Sequence, residues 1–400
     1  MSFLIHRRCW VEVDGRAVRH NFKILKGLIP RTTLIMAVVK ANAYGHGLVP
    51  MARELEVIGT DWLGVANIAE GTVLREAGIR VPILLLSATL PEEMEEAVRQ
   101  KLTLTLSSHD EAKRLDRTAR ALKRKAEVHF KIDTGMGRLG CWHAEAEAEL
   151  ARIRKLPGLR VKGLCTHFAS ADDNARFTHA QWQAISPFFE EHDDLLRHAA
   201  NSPAVMRRYG FAADMVRLGL GLYGIAPNPD DQGLGLKPVL SWKSRVTLIH
   251  DVPRGRNVSY GGTYRVPAPQ RHAVVAMGYG DGYFRLHSNA SHLLVRGKRC
   301  PIRGRVTMDQ ILIDVTGVRD CRVGDEVVAL GSQGGEEIHA RELATQAHTI
   351  PWEILTNIGA RVPRIYHYFR GWMSRGVRQN VTLVSVFAAI CGAIFLTPFS

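Results

Sequence analysis

The chain has 400 residues, of which 46% are hydrophobic and 23% charged, so it is long enough for two folded domains and is not a disordered protein. Its six cysteines form no C-x-x-C pair and no metal-type spacing, which argues against a disulfide framework or a metal site; they are Cys9, Cys141, Cys165, Cys300, Cys321 and Cys391. The net charge of +14 is spread along the chain without a nucleic-acid-binding motif, so we expect no nucleic-acid partner. A basic field favours small anionic ligands.

The first ten residues, MSFLIHRRCW, carry only a short apolar patch, which His6, Arg7 and Arg8 interrupt. A signal peptide needs an uninterrupted apolar core of roughly 7–15 residues. The sequence therefore predicts no export, and we expect a cytoplasmic protein.

From residue 10 to residue 225, strand-like runs alternate with helical patterns. The runs are, in order, TTLIMAVV, WLGVA, PILLLS, LTLTLS, EVHFKID, LRVKGLCTHF, a short run before Asn201, and MVRLGLGLYG. Eight such alternations predict an α/β domain, the (β/α)8 or TIM barrel. Catalytic groups of these barrels lie at the C-terminal ends of the strands.

Polar residues cluster where five of these runs end. They are Lys40, Lys131 with Asp133 and Arg138, His167, Asn201 with Ser202, and Arg217. Any one of them could cap a helix or bind a loop, but closure of the barrel would bring all of them to one rim. The sequence therefore predicts one polar site at that rim.

The most informative of these positions is Lys40. It ends the apolar run LIMAVV, and Asn42, Tyr44, His46 and two glycines follow within seven residues. A buried lysine has a lowered pKa that suits a base or an imine-forming amine, whereas a lysine that snorkels to solvent has no such role. The small and hydrogen-bonding residues around it predict a polar ligand.

After residue 225 the pattern changes. The segment APNPDDQGLGLKP, residues 226–238, is rich in Pro, Gly and Asp and is typical of a linker. Residues 239–370 contain runs that alternate apolar and polar residues, which predicts a mainly β domain, closed by a late helical stretch, ARELATQAHTIPWEIL. Three segments of this domain carry unusual polar groups: NVSYGGTYRV with Tyr260, GYGDGY with Tyr279 and Asp281, and GRVTMDQ with Met308 and Asp309.

Three motifs, VVKANAYGHG, DTGMGRLG and TMDQ, resemble those of alanine racemases, which depend on pyridoxal 5'-phosphate (PLP). The resemblance spans both domains and implies that Lys40 forms an imine with PLP. It further implies a cofactor site; its residues are Tyr44, His167, Ser202, Arg217, the backbone amides of Gly219 and Leu220, and Trp352. In isolation, Ser202 would equally suit a helix N-cap and Arg217 a strand-to-strand contact.

The same resemblance implies a two-base reaction in a homodimer. Lys40 would take the proton from D-alanine and Tyr260 of the other subunit would take it from L-alanine. Arg138 and the main chain at Met308 would hold the substrate carboxylate. Lys131 would be carbamylated and steady Arg138, although a plain ion pair with Asp133 is the alternative.

Two features depart from the family pattern. Trp352 stands where a tyrosine is usual, so we expect a narrower passage and a preference for small substrates. Residues 371–400 form a basic and then apolar tail whose last twenty residues carry no charge, which predicts a helix that anchors the protein in a membrane, or else an extended tail that packs on another surface.

The function predicted from the sequence is interconversion of L- and D-alanine, supplying D-alanine for cell-wall peptide. A broad-specificity or serine-type racemase is the alternative. A PLP-dependent decarboxylase of basic amino acids shares the domain plan, but this sequence has no match to its substrate-reading motifs, whereas the three motifs above fit a racemase. A single-barrel cofactor carrier would lack the second domain and Tyr260.

Overall fold

The computed structural model describes residues 7–211, 213–226 and 233–370. These residues fall into two compact units. Arg16–Lys237 with Arg370 form one unit, and residues 7–15 with Pro238–Phe369 form the other.

The first strand, β1 (Cys9–Asp14), lies in the second unit, although its residues fall mostly in the segment 10–225 predicted for the barrel. It pairs antiparallel with residues 240–244 and parallel with residues 364–367. Val11 and Val13 are fully buried there. An alternating apolar pattern gives a strand but does not name its partner, which explains this difference.

Eight parallel strands close into a barrel in the first unit, which confirms the predicted (β/α)8 fold. The strands are β2 (Leu34–Val38), β3 (Trp62–Val65), β4 (Ile83–Leu85), β5 (Thr103–Leu106), β6 (Ala126–Asp133), β8 (Leu159–Cys165), β9 (Leu196–Asn201) and β10 (Met215–Leu218), with a short β7 (Cys141–Trp142) beside β6. The order is β5-β4-β3-β2-β10-β9-β8-β6, and pairing of β5 with β6 closes the ring.

Helical segments connect these strands. They are α1 (Gly15–Lys26), α2 (Lys40–Tyr44), α3 (Leu48–Val57), α4 (Ile68–Glu76), α5 (Met94–Arg99), α6 (His109–Ala121), α7 (Ala146–Ile153), α8 (Ala175–Glu191) and α9 (Ser202–Met206). Side-chain caps fix several of the starts: Asn67 accepts from the Glu70 N–H, and Ser108 accepts from the Glu111 N–H.

The inside of the barrel has an apolar floor and a polar middle. The floor is made of Met36, Leu84 and Met215, against which four further side chains pack: Leu34, Trp62, Leu86 and Leu196. His129, His198 and Arg217 are buried inside the same barrel, on β6, β9 and β10. The barrel interior therefore holds buried hydrogen-bonding groups as well as aliphatic side chains.

The second unit is mainly β, as predicted. Its remaining strands are β11 (Leu240–Val252), β12 (Asn257–Val258), β13 (Tyr264–Arg265), β14 (Gln270–Val275), β15 (His292–Val295), β16 (Lys298–Pro301), β17 (Ile311–Asp314), β18 (Glu326–Gln333), β19 (Glu336–Ile338) and β20 (Arg364–His367). The long β11 is the hub of the main sheet and pairs with β1, β14 and β18. The late helical stretch is two helices, α10 (Ala340–Gln346) and α11 (Pro351–Thr356).

Within residues 7–211, 213–226 and 233–370, no helix has both the length and the apolar character to cross a bilayer. The tail predicted as an anchor, residues 371–400, lies outside the described residues.

Candidate active site

Lys40 follows β2 at the C-terminal rim and opens a left-handed turn. The four residues after it all have positive φ: 54° at Ala41, 54° at Asn42, 53° at Ala43 and 54° at Tyr44. Each such residue without glycine's freedom costs roughly 1–2 kcal/mol, and strain of this kind gathers at functional sites. The turn thus sets the direction of Lys40 at a cost in stability.

Hydrogen bonds hold this strained turn in place. The Nδ1–H of buried His46 donates to the carbonyls of Ala43 and Tyr44 at 3.0 and 2.9 Å. The Asn42 side chain accepts from the Leu48 N–H at 2.8 Å and so joins the turn to the start of α3. The Glu70 carboxylate accepts from the Asn42 N–H at 3.2 Å.

The environment of Lys40 favours its neutral amine. Burial is the largest cause of the lowered pKa of Lys40. The nearby cations Arg138 and Arg217 lower this pKa further, whereas Glu70 raises it. None of the hydrogen bonds of the described residues occupies its Nζ. A half-buried amine with a lowered pKa at a rigid strand end can act as a base or a nucleophile.

Lys131 lies near the C-terminal end of β6 and is itself buried. Burial and the cations Arg217 and Arg138 lower its pKa from 10.5 to about 8. The Asp133 carboxylate is engaged elsewhere, because it accepts from the backbone N–H groups of residues 135, 136 and 137 at 2.8–2.9 Å. Among the described residues we find no ion pair between Lys131 and Asp133, so the plain ion pair weighed above is not formed.

Asp133 instead shapes the loop that carries Arg138. Gly135 and Gly137 have positive φ, 132° and 67°, which lets three N–H groups converge on one carboxylate. Arg138 is exposed at the rim, and its charge is felt by Lys40, Lys131 and His167.

Gly219, which follows β10 beside β2, lies against Tyr44 and also contacts Ser202. The buried Ser202 Oγ accepts from the Gly219 N–H at 2.8 Å, which leaves the hydroxyl hydrogen free to donate to another group. A Cβ at Gly219 would lie 2.6 Å from the Tyr44 Oη, so any larger residue there would have to displace the Tyr44 hydroxyl. The N-cap of α9 is Asn201, whose side chain accepts from the Ala204 N–H, so Ser202 does not serve as the cap.

Arg217 lies in the barrel interior and is buried. Its Nη2 donates to the Nδ1 of His167 at 3.0 Å and to the carbonyls of Thr166 and Ala199, and its Nη1 contacts His198. Burial and the Arg217 charge hold the pKa of His167 well below its ordinary value. Because no hydrogen bond of the described residues uses Arg217 Nε, this N–H is available to a ligand.

The second unit holds the remaining predicted residues. Tyr260, with 70% of its surface exposed, follows Ser259, whose φ is 60° and whose Oγ donates to the Arg305 carbonyl. Met308, on the same segment as Arg305, is 54% exposed, and its carbonyl accepts from the Gly280 N–H at 2.9 Å. Trp352 is half-buried on α11.

Arg361 is a residue that sequence reasoning missed. Its Nε donates to Asp281 at 2.8 Å and its Nη2 donates to Asp309 at 2.7 Å and, at 3.4 Å, to the Met308 carbonyl. It therefore braces the Met308 segment. The carboxylates of Asp281 and Asp309, which the sequence analysis noted, were the available signal, because two nearby carboxylates need a cationic partner.

The structure thus brings seven of the predicted residues to the barrel rim or just beneath it: Lys40, Tyr44, Lys131, Arg138, His167, Ser202 and Arg217, with Gly219 and Leu220 following β10. It places Tyr260, Met308 and Trp352 in the other unit. His129 and His198, which support Arg217, were not predicted as site residues. The available signal was their position: His129 shares a strand face with Lys131 on β6, and His198 lies on the strand that ends at Asn201.

A (β/α)8 barrel whose rim presents a strand-end lysine near other basic side chains, followed by a β unit, has the arrangement of a two-domain barrel enzyme with its site at the barrel mouth. Residues 13–227 match the family described as alanine racemase, N-terminal domain, and residues 239–366 match alanine racemase, C-terminal domain. The chain belongs to the alanine racemase family and is therefore an enzyme of the isomerase class, which confirms the resemblance found in the sequence.

Individual relatives agree with this assignment. The alanine racemase of Methylacidiphilum infernorum is 46% identical over 368 residues, which cover 92% of this chain and 95% of that protein. The structure of alanine racemase from Clostridium difficile 630 is similar with a TM-score of 0.86 at 35% identity, over 91% of this chain and 96% of that one. The structure from Bacillus anthracis, described with bound L-Ala-P, has a TM-score of 0.85 at 35% identity, over 95% and 97% of the two chains.

Proposed function

We propose that this protein interconverts L-alanine and D-alanine with PLP held at the barrel rim. Family membership supports the reaction, and the name and the L-Ala-P ligand of the Bacillus anthracis relative support alanine as the substrate. The single observation that carries the proposal is Lys40, a half-buried amine with a lowered pKa at the end of β2, fixed in direction by a left-handed turn.

The residues at the rim fit PLP. Lys40, Lys131, Arg138 and Arg217 are four basic side chains, and the charges of Arg138 and Arg217 lower the pKa values of Lys40, Lys131 and His167. A bound anion would offset this repulsion. Tyr44, Ser202 and the amides of Gly219 and Leu220 are the groups that would hold the phosphate, and the Ser202 hydroxyl has a hydrogen left to donate. When bound, PLP holds the substrate's amino group and spreads the charge left at Cα once a proton has gone.

The chain supplies the groups that move this proton. In the proposed reaction, Lys40 Nζ takes the proton from Cα of D-alanine, and the phenol of Tyr260 takes it from L-alanine on the opposite face. One base on each face avoids rotation of the substrate between removal and return of the proton. Arg138 and the Met308 main chain hold the carboxylate, while Trp352 forms part of the passage.

Arg217 would bind the pyridine nitrogen through its Nε–H. A permanent cation there disfavours a proton on that nitrogen, so the ring withdraws less charge and reprotonation of Cα is favoured over transamination. Carbamylation of Lys131 would provide the anion that Arg138 lacks, since Asp133 is engaged by its own loop.

We further propose that the active site is shared between two copies of the chain. Tyr260 and Met308 are large side chains left exposed in the second unit, together with Tyr279 at 43% exposure. Exposed apolar and aromatic groups around one segment are typical of an interface. A homodimer would cover them and deliver Tyr260 to the Lys40 of the other copy.

Racemisation itself is tested by incubating the holoenzyme with L-alanine in deuterated water. We expect Cα–H exchange and loss of optical rotation at comparable rates. Release of carbon dioxide would indicate a decarboxylase instead, and no exchange would indicate a cofactor carrier. Comparable turnover of alanine, serine and larger amino acids would favour a broad-specificity racemase.

The shared site is tested by mixing two inactive variants, Lys40→Ala and Tyr260→Phe. If each site takes one residue from each copy, random exchange of subunits gives half heterodimers with one intact site of two, so about 25% of the wild-type activity returns. If both residues act within one chain, mixing restores nothing. Each variant kept alone is the control.

The biological role proposed is supply of D-alanine for cell-wall peptide, which rests on the family. Expression of the full chain in a bacterium that lacks its own alanine racemases should remove the requirement for added D-alanine, and Lys40→Ala should not.

A further inference from the structure

Beneath the rim, three buried side chains form a string of hydrogen bonds through the barrel interior. Arg217 Nη1 lies 2.7 Å from His198 Nδ1, and His198 Nε2 lies 2.8 Å from His129 Nδ1. His198 and His129 are fully buried and Arg217 is 6% exposed. We call these three residues the histidine string.

The chemistry of the first residue fixes the direction of the whole string. A guanidinium has five N–H donors and no acceptor, so His198 Nδ1 must accept and carry no proton. The proton of His198 is then on Nε2, which donates to His129 Nδ1. His129 in turn carries its proton on Nε2, which has no hydrogen-bond partner among the described residues.

The charges around the string agree with two neutral imidazoles. Burial, followed by the Arg217 charge, lowers the pKa of His129 to about 3 and holds that of His198 well below its ordinary value. The other groups that face Arg217 are the carbonyls of Thr166, His198 and Ala199 and the imidazole of His167. No carboxylate pairs with Arg217 among the described residues.

We propose that His198 and His129 are positioning residues that hold Arg217 as a cation without a counter-anion and aim its Nε–H at the site. A carboxylate in the place of His198 would orient Arg217 equally well but would offset its charge. Two neutral imidazoles orient it and leave the charge to act on the bound ring. The effect of this arrangement on the reaction rests on the proposed function, whereas the hydrogen bonds among Arg217, His198 and His129 do not depend on it.

The proton positions are tested by neutron diffraction from holoenzyme crystals exchanged into deuterated buffer at pH 6 and pH 8. We expect one deuteron on each imidazole, at Nε2 of His198 and at Nε2 of His129, at both pH values. A deuteron on Nδ1 of either residue, alone or together with Nε2, would overturn the proposal. Absence of alanine racemisation in the same preparation would count against the proposed function and not against the string.

The consequence for the reaction is tested with two variants of the last residue. His129→Asn keeps an acceptor near the position of Nδ1, whereas His129→Leu removes it and leaves the His198 N–H unpaired. For His129→Leu we expect kcat to fall about 5- to 10-fold and pyruvate formation per racemisation event to rise, and we expect His129→Asn to restore most of both. Met36→Leu, in the apolar floor, is the control for a change of barrel packing.

Equal losses in His129→Asn and His129→Leu, with no change in pyruvate formation, would show a merely structural role. If His129→Leu fails to fold, the neutron experiment decides: one deuteron on Nε2 of each imidazole supports the string, and a deuteron on Nδ1 of either residue contradicts it.

Discussion

Gly163 lies beside His129 on the neighbouring strand of the barrel, and the ring of His129 occupies the space where a side chain at Gly163 would be. A Cβ at Gly163 would lie 2.8 Å from each of three ring atoms, closer than such atoms approach in folded proteins. The absence of a side chain at Gly163 on β8 therefore makes room for the imidazole of His129 on β6 inside the barrel.

Replacement of Gly163 by alanine tests this relationship. We expect Gly163→Ala to lower the free energy of unfolding by about 1–3 kcal/mol, because neither the ring nor the two strands can move freely in a packed interior. Gly317→Ala, where a Cβ meets nothing within 4 Å, is the control and should leave stability nearly unchanged. Urea unfolding measures both. Equal stability of the two variants would mean that the ring has room to move.

The string also shows where sequence reasoning stops. Strand runs and turn residues predicted the eight-strand barrel, and strand-end polar residues predicted Lys40, Lys131, His167 and Arg217 at one rim. Nothing local marks His129 as different from any strand histidine, because its partner is 69 residues away and its space depends on Gly163. The pairing of β1 with β11 was missed for the same reason. Contacts that form only when a sheet closes produce no periodic pattern of residues in the sequence.

The left-handed turn after Lys40 predicts an unusual response to glycine. Ala41 is exposed and has φ of 54°, a conformation that costs alanine roughly 1–2 kcal/mol and glycine almost nothing. After the added entropy of an unfolded glycine, we expect Ala41→Gly to raise the free energy of unfolding by about 0.5–1 kcal/mol. Ala148→Gly, in the exposed middle of α7, should instead lower it by about 1 kcal/mol. Loss of stability in both variants would contradict strain at Ala41.

The lowered pKa of Lys40 predicts a dependence of stability on pH. Below its unfolded pKa the unfolded lysine binds a proton more readily than the folded one, so protonation favours unfolding, and this penalty disappears as pH rises toward 10.5. In the cofactor-free protein, Lys40→Met should therefore be more stable than the wild type at pH 7, by a margin that shrinks at pH 10. Exposed Lys155→Met is the control and should show no such trend. A margin that is constant with pH would mean that Lys40 is not titrated differently by folding.

Trp352 predicts a narrow preference among substrates. An indole at the proposed passage adds bulk where the family usually has a phenol, although its N–H keeps one donor. We expect Trp352→Tyr to raise kcat/KM for serine relative to alanine, by about 3- to 10-fold. Trp182→Tyr, on α8 of the barrel, is the control for loss of an indole elsewhere. An unchanged serine-to-alanine ratio would remove Trp352 from the determinants of specificity.

Lys131 predicts a dependence of the enzyme on carbon dioxide. Only a neutral amine forms a carbamate, and a pKa of about 8 instead of 10.5 raises the neutral fraction at pH 7 about 300-fold. The carbamate would place a negative charge near Arg138, which has no anionic partner among the described residues. We therefore expect Lys131→Met to raise KM for alanine about 10-fold with a smaller change in kcat. Lys131→Glu, which keeps a negative charge, should recover part of this loss.

Labelled bicarbonate gives a direct measurement of the same modification. With 13C-bicarbonate we expect one carbamate resonance per chain in the wild-type protein, absent from Lys131→Met and present in Lys162→Met, where the altered lysine lies 3.7 Å from the Glu127 carboxylate. The signal should weaken as pH falls below 8, because protonation of Lys131 removes the reactive amine. A resonance that survives in Lys131→Met would assign the carbamate to another lysine, and Arg138 would then need a different anion, of which the substrate carboxylate is the nearest in chemistry.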